Sequence, residues 1–101
     1  MNHSIFEEMK IRNSEDFNVM KALEEANEFC TAIIERYTKG TGLDNVIEEI
    51  GDLEFRLDMI KKLWNIEAQV EERYNYKKGL MERKAMLGKL GRSTKEGLNL
   101  Q

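Results

Sequence analysis

The sequence predicts an all-α fold: a helical bundle of two long antiparallel helices plus a third, completed by homo-oligomerisation. Its 101 residues include no proline, so no proline interrupts a long helix. The good helix formers Leu, Glu, Lys, Met, Ala and Arg dominate the composition. Apolar residues recur at spacings of three and four, the pattern of amphipathic helices. Because a chain of this length buries only a modest core by itself, we expect oligomerisation to complete it.

The first two helices have clear start and stop signals. Ser4-Ile5-Phe6-Glu7 is typical of a capping box and predicts a short helix to about Arg12. Asn13-Ser14 offers an N-cap for a long helix over about residues 15–39, which Gly40 ends. We expect an apolar, packed face at Phe17, Met20, Leu23, Ala26, Cys30, Ile33, Ile34 and Tyr37.

The next two helices follow after a short glycine-containing loop. Asp44 is the predicted N-cap of a second long helix over about residues 45–63, and Trp64-Asn65-Ile66 turns the chain. The predicted apolar stripe of that helix is Val46, Ile50, Leu53, Leu57, Ile60 and Trp64. A third helix is expected over about residues 67–87, with Val70, Tyr74, Leu80 and Leu87 on its apolar side. We expect residues 1–88 to form a single domain and 89–101 a frayed or flexible tail.

Charge and composition exclude several classes of protein. The net charge of −3 divides into an acidic part, residues 1–60, and a basic part, residues 61–101. The two parts are able to neutralise each other within a bundle or between subunits, while the overall sign argues against general nucleic-acid binding. No apolar run reaches the roughly 18 residues of a membrane span. A single cysteine and no secretory signal pattern predict a cytoplasmic protein.

Two acid pairs are the most informative pattern. Glu25 and Glu28 are three residues apart on the first long helix, and Glu49 and Asp52 are three apart on the second. Such pairs lie on adjacent turns, so their carboxylates converge. Periodicity places Glu49 about 40° from Leu53, at the edge of the apolar stripe. Like charges beside a core need compensation, and Mg²⁺ or Mn²⁺ supplies it with a preference for oxygen ligands. Ordinary surface pairing with Lys or Arg is the alternative.

The order Glu25-Ala26-Asn27-Glu28, then 20 residues, then Glu49-Ile50-Gly51-Asp52 resembles the MazG-like all-α nucleoside triphosphate pyrophosphohydrolases, whose signature is ExxE followed by ExxD. The flanking residues 21–26 and 45–54 also look like the short phage and bacterial members of that family. The resemblance covers about residues 18–87. Gly51, inside the second pair, is expected to relieve crowding where the helices approach.

The resemblance implies a Mg²⁺-dependent enzyme, with Mn²⁺ as a possible substitute. Such an enzyme splits an NTP or dNTP into a monophosphate and pyrophosphate by attack of a metal-activated water, and works as a homodimer or tetramer. By the same resemblance, the metal ligands are Glu25, Glu28, Glu49 and Asp52. Substrates of the dUTP or phosphoribosyl-ATP type stay open within the superfamily.

Further roles are carried over to individual positions. Glu24 and Glu48 are the candidates for the proton-accepting catalytic group or for support of the metal ligands. Tyr76-Lys77 matches the opening of the family's basic segment, so Lys77 and Arg83 are the predicted phosphate contacts. Leu80 stands where a further basic residue is expected.

Two other readings use the same residues differently. A non-catalytic helical interaction module that retains the fold, with or without metal binding, is the alternative function, and Leu80 favours it. A plain coiled-coil dimerisation domain is a third hypothesis, disfavoured because the stripes do not sustain strict heptads and acids sit beside the seam. The aromatic residues Trp64, Tyr74 and Tyr76 fit a core better than base stacking.

Overall fold

A computed structural model describes residues 4–91. These residues form four α-helices and no strand, which confirms the all-α prediction. The helices are α1 (Ile5–Arg12), α2 (Glu15–Lys39), α3 (Asp44–Trp64) and α4 (Glu67–Met86). The chain divides into two compact units, Met1–Ile66 with α1 to α3 and Glu67–Gln101 with α4. Most of the predicted C-terminal tail, residues 92–101, lies outside the described residues.

Local capping fixes the start of the first unit. The Ser4 hydroxyl accepts a hydrogen bond from the Glu7 N–H at 3.2 Å, and the Ser14 hydroxyl accepts one from the Phe17 N–H at 3.1 Å. Both predicted N-caps are therefore confirmed. Such caps satisfy backbone donors that have no partner inside the helix.

A fully buried asparagine joins α1 to α2. The Asn18 side-chain amide donates to the Ser14 carbonyl at 3.2 Å and to the Met9 carbonyl at 3.5 Å. The rings of Phe6 on α1 and Phe55 on α3 lie 5.1 Å apart between centroids. These contacts hold the short helix against both long helices of the unit.

The loop between α2 and α3 follows the predicted stop signal. Gly40 adopts the left-handed conformation, with φ 65° and ψ 29°, which a glycine accepts without steric cost. The Arg36 guanidinium donates to the Thr41 carbonyl at 2.7 Å, which ties the loop to the end of α2. The chain can therefore turn within a few residues and bring α3 alongside α2.

The start of α3 differs from the prediction. Asp44 is the first helical residue rather than the N-cap, and Leu43 occupies the cap position with no side-chain hydrogen bond. The reason is that Leu43 already has helical dihedrals, φ −80° and ψ −14°, so the helix begins one residue earlier than expected. Asp44 then places its charge in the first turn, where a helix favours an anion. At the other end Asn65 is left-handed, as the predicted turn requires.

The buried face of α2 is not its most apolar face. The buried residues of α2 are Asn18, Ala22 and Ala32, and those of α3 are Val46, Glu49 and Met59. The prediction for these stripes was wrong at several large residues, which are exposed: Phe17, Met20, Leu23, Cys30, Ile34, Tyr37, Ile50, Leu57 and Trp64. Small residues on α2 allow the two helices to approach closely, so the seam runs along Asn18, Ala22 and Ala32 instead.

The second unit contains α4, of which no residue is buried. Of the four residues predicted on its apolar side, Val70 and Tyr74 are exposed and Leu80 is half-buried, while Leu87 is exposed and follows the last helical residue. Within residues 4–91, every helix falls short of the combination of length and apolar character that crossing a bilayer requires.

Candidate metal site

Three of the four predicted metal ligands converge in the seam of the first unit. Glu25 comes from α2, while Glu49 and Asp52 come from α3, and one carboxylate oxygen of each lies within 4.8 Å of the others. Glu49 is only 6% exposed, Glu25 is half-buried and Asp52 is exposed. Glu49 is therefore buried more deeply than the edge position that periodicity predicted for it.

The fourth predicted ligand, Glu28, completes the cluster from the solvent side. It lies outside the group of three mutually close oxygens, but it is near enough to Glu49 to raise the pKa of that carboxyl through hydrogen bonding and charge. Glu28 is exposed, one turn along α2 from Glu25. We call Glu25, Glu28, Glu49 and Asp52 the carboxylate cluster.

Burial and mutual repulsion raise the pKa of two members of the cluster. The pKa of Glu49 rises from its ordinary value of 4.5 to about 7. The first cause is loss of hydration, followed by the hydrogen bond with Glu28 and the charges of Glu28, Glu25 and Asp52. For Glu25, burial and the charges of Glu28 and Asp52 raise the pKa, and the nearby Arg56 lowers it by less. Both groups thus favour a proton, or another positive charge, at this point.

One polar atom of the cluster and one of the neighbouring Arg56 are buried without a hydrogen-bond partner. They are Oε2 of Glu25 and Nη1 of Arg56. A buried carboxylate oxygen without a partner loses its hydration and gains nothing in return. The unsatisfied oxygen of Glu25 therefore indicates a place that a cation or a water molecule would stabilise.

Arg56 is the residue of this site that sequence reasoning missed. It is half-buried on α3 and its charge acts on Glu25. The signal was present in the spacing, because Arg56 follows Glu49 by seven residues and so returns to the same face of the helix. The predicted stripe of α3 does not include Arg56, because that stripe was defined by apolar residues alone.

Gly51 does not have the role that its position suggested. A Cβ atom added at Gly51 would meet nothing within 4 Å, because the residue faces open space on α3. The expectation that it relieves crowding between helices was wrong. The close approach of α2 and α3 depends on the alanines of α2 instead.

The two predicted catalytic acids lie beside the cluster rather than in it. Glu24 is exposed, with Oε1 3.5 Å from the ammonium nitrogen of Lys21. Its charge contributes to raising the pKa of Glu25. Glu48 is exposed on α3. Neither belongs to the group of three mutually close carboxylates, and their catalytic roles stay predictions.

The two predicted phosphate contacts are exposed residues of α4, in the second unit. Lys77 lines a largely apolar cavity of about 460 Å³ together with Tyr74, Met81 and Leu90. The Arg83 guanidinium returns along the helix to within 3.5 Å of the Cβ position of Gly79. The role of Lys77 and Arg83 toward phosphate stays a prediction.

A second cavity adjoins the carboxylate cluster within the first unit. Its volume is about 230 Å³. It is lined by Asn27, Glu28, Thr31, Ala32, Asn45 and Glu49. Two of these residues belong to the cluster, so the cavity and the cluster form one continuous surface feature.

The residues of the cluster fit a hard divalent cation. All four donors are carboxylates, the ligand type that Mg²⁺ and Mn²⁺ prefer, and one buried oxygen has no other partner.

No protein family model matches the chain, and comparisons with curated proteins and with solved structures give no match either.

Proposed function

We propose that this protein is a Mg²⁺-dependent nucleoside triphosphate pyrophosphohydrolase, which cleaves an NTP or dNTP to the monophosphate and pyrophosphate. One observation carries the proposal: carboxylates from two helices converge at the positions that match the ExxE and ExxD motifs. The burial of Glu49 and the partial burial of Glu25 add support. Burying a carboxylate costs free energy unless an opposite charge compensates it, and a bound cation would supply that charge.

Within this proposal, each carboxylate has a defined task. Glu25, Glu49 and Asp52 would hold Mg²⁺, or Mn²⁺ in its place, with Glu28 joining them from the solvent side. A bound divalent cation would supply positive charge against the triphosphate and acidify a water molecule. The half-buried Arg56 offsets part of the repulsion among the carboxylates, because its positive charge lowers the pKa of Glu25.

Proton transfer and phosphate binding require further groups. Glu24 and Glu48 are the proposed proton acceptors, since both are exposed and adjoin a metal ligand in the chain. Lys77 and Arg83 are the proposed phosphate contacts, and both carry a positive charge on the exposed surface of α4.

The proposed assembly is a homo-oligomer, a dimer or a tetramer, in which α2 and α3 run antiparallel. Exposed apolar residues on both helices support it, because water-exposed stripes of this kind mark association surfaces. Among them are Met20, Leu23 and Ile34 on α2 and Ile47, Leu57 and Trp64 on α3. The proposed location is the cytoplasm.

Phosphorus NMR tests the activity directly. Purified protein is incubated with Mg²⁺ and each of the common NTPs and dNTPs, and the products are identified by their resonances. We expect a monophosphate and pyrophosphate from the wild type and from Glu54→Gln, a matched variant at an exposed acid of α3 outside the cluster. We expect no product from Glu49→Ala. Free phosphate as the product, or full activity of Glu49→Ala, would contradict the proposal.

A helical interaction module is the second candidate function. The exposed apolar residues of α2 and α3 favour it, because a partner helix would cover them as well as a second copy would. The absence of nucleotide hydrolysis in the phosphorus NMR experiment, together with saturable Mg²⁺ binding in a separate titration of the protein, would support this module over the enzyme.

A further inference from the structure

A cation lies beside the carboxylate cluster on α3. Arg56 follows Asp52 by four residues and Glu49 by seven, and both spacings return to one face of a helix. The other two basic residues of α3, Lys61 and Lys62, belong to its last turn. Arg56 is half-buried, so its charge enters the same poorly hydrated seam as the acids.

An aromatic ring restrains the guanidinium group of Arg56. The guanidinium carbon lies 5.7 Å from the centroid of the Phe55 ring, and that ring lies 5.1 Å from the ring of Phe6 on α1. The negative face of an aromatic ring attracts a cation at this distance. The two rings therefore help to keep the charge of Arg56 near the cluster rather than in open water.

Arg56 and Glu25 carry opposite charges, and each has a buried atom that no hydrogen bond satisfies. The two atoms are Nη1 of Arg56 and Oε2 of Glu25. Arg56 favours the charged form of Glu25, while the neighbouring acids disfavour it. Burying a charge costs free energy unless an opposite charge compensates it. Arg56 thus already supplies part of the compensation that a metal ion would bring to Glu25.

A divalent cation at the cluster would meet this resident charge. An ion held by the three close carboxylates carries two positive charges and shares Glu25 with Arg56. Charges of the same sign repel, and salt screens them only weakly in a partly buried site. Binding of such an ion therefore has to overcome repulsion from Arg56 and to weaken the attraction between Arg56 and Glu25.

We propose that Arg56 is a built-in counter-charge for Glu25, which competes with the divalent cation and lowers the affinity of the carboxylate cluster for the free ion. The inference rests on the part of the proposed function that places a divalent cation at the cluster. It goes further, because it gives the half-buried arginine a role in how tightly that cation is held. Arg56 acts through Glu25 and without contact to the substrate.

Titration with Mn²⁺ at pH 8, followed by electron paramagnetic resonance of the free ion, tests the proposal. We expect Arg56→Gln to lower the Kd for Mn²⁺ by at least about 5-fold, because the repulsion from one charge is removed from a partly buried site. Arg56→Lys keeps the charge and should bind Mn²⁺ like the wild type. The control Lys61→Gln removes a charge of α3 that pairs with Asp58 at 2.9 Å, outside the cluster, and should also leave the Kd unchanged.

Two results of this titration would overturn the proposal. The first is an unchanged or higher Kd in Arg56→Gln. The second is an equal fall of the Kd in Arg56→Lys, since packing rather than charge would then be responsible.

A measurement on the wild type does not depend on the folding of any variant. The ¹⁵N-labelled protein is titrated with Mg²⁺, and the side-chain Nε–H resonance of Arg56 is followed. We expect a saturable shift at Arg56 and none at Arg36, which lies about three turns beyond Glu25 on α2 and donates to the Thr41 carbonyl. An Arg56 resonance that Mg²⁺ does not shift would contradict the proposal.

Hydrolysis assays keep this inference apart from the proposed function. A lower Kd in Arg56→Gln without hydrolysis of any triphosphate would support the counter-charge and contradict the enzyme. Hydrolysis by a wild type whose Kd matches that of Arg56→Gln would overturn the counter-charge alone. Neither Mn²⁺ binding nor hydrolysis would overturn both.

Discussion

The carboxyl groups of Glu28 on α2 and Glu49 on α3 interact across the helix seam. Burial first, and then the interaction with Glu28 and the charges of Glu25 and Asp52, raises the pKa of Glu49 to about 7. Near neutral pH the folded chain therefore carries less negative charge at Glu49 than an ordinary exposed glutamate would.

Stability should depend on pH through this group. The pKa of Glu49 is about 7 in the folded protein and 4.5 ordinarily, so the folded state binds more protons between these values. The contribution is fully present below about pH 4.5 and is lost as the pH rises through 7. Urea unfolding between pH 5 and 8 should show stability falling for the wild type and falling less for Glu49→Gln. Equal slopes in the two proteins would contradict this assignment.

Divalent cations should reverse that loss. At pH 8, where the carboxylates are charged, Mg²⁺ that binds only the folded state raises its stability by about 2.7 kcal/mol at 100 times the dissociation constant. Thermal unfolding with and without Mg²⁺ measures the change. The increase should be largely absent in Glu25→Gln and retained in Glu54→Gln. A wild-type melting temperature that Mg²⁺ does not raise would count against the metal site.

Loss of Asp52 should separate activity from folding. Asp52 is exposed, so Asp52→Asn removes a charge from the cluster without opening a hole in the seam. We expect turnover of nucleoside triphosphates to fall at least about 100-fold, on the scale of losing one electrostatic contact to transition-state charge. Circular dichroism and urea unfolding should show a folded protein. Full turnover in this variant would remove Asp52 from the proposed site.

Gly51 offers a stabilising substitution. It lies in the interior of α3, where glycine is less favourable than alanine by about 0.5–1 kcal/mol, and a Cβ atom there meets nothing within 4 Å. Urea unfolding should therefore show Gly51→Ala to be more stable than the wild type by about that amount. An unchanged or lower stability would mean that the position has a neighbour in the assembled protein.

The exposed apolar residues of α2 should govern association. Leu23 and Ile34 are 54% and 60% exposed in the single chain and belong to a larger set of exposed apolar residues on α2, the kind of surface at which proteins associate. The double substitution Leu23→Glu and Ile34→Glu should convert the proposed oligomer into a monomer, as measured by light scattering coupled to size exclusion. A wild type that is already monomeric at high concentration would contradict the proposed assembly.

Helix ends were predictable because their signals are local. Ser14 and Gly40 act on the backbone within a few residues of themselves, and both have the predicted roles. The buried face was less predictable, because a hydrophobic ranking favours Leu23 and Ile34 over the smaller Ala22 and Ala32. Close packing of two helices selects small side chains, and that choice depends on the partner helix, which a one-helix pattern does not contain.

The acid pairs were predictable as a pattern, and three of their four members meet as a group. Their depth in the seam and the presence of Arg56 were not predicted. Both depend on how α3 is rotated about its axis relative to α2. Successive residues of a helix differ by about 100° around that axis, so a modest rotation changes which of them are buried. The cavity residues Asn27, Thr31 and Asn45 could not be grouped from the sequence for the same reason.

The loop at Gly40 has a consequence for how the protein folds. It places all four carboxylates within one helical hairpin, in a stretch running from Glu25 to Asp52. Closing so short a loop costs little chain entropy, and contacts this local form early. We therefore expect the like charges to meet while the hairpin is still forming. Neutralising them, by low pH or by a cation, should then speed folding as well as stabilise the folded chain.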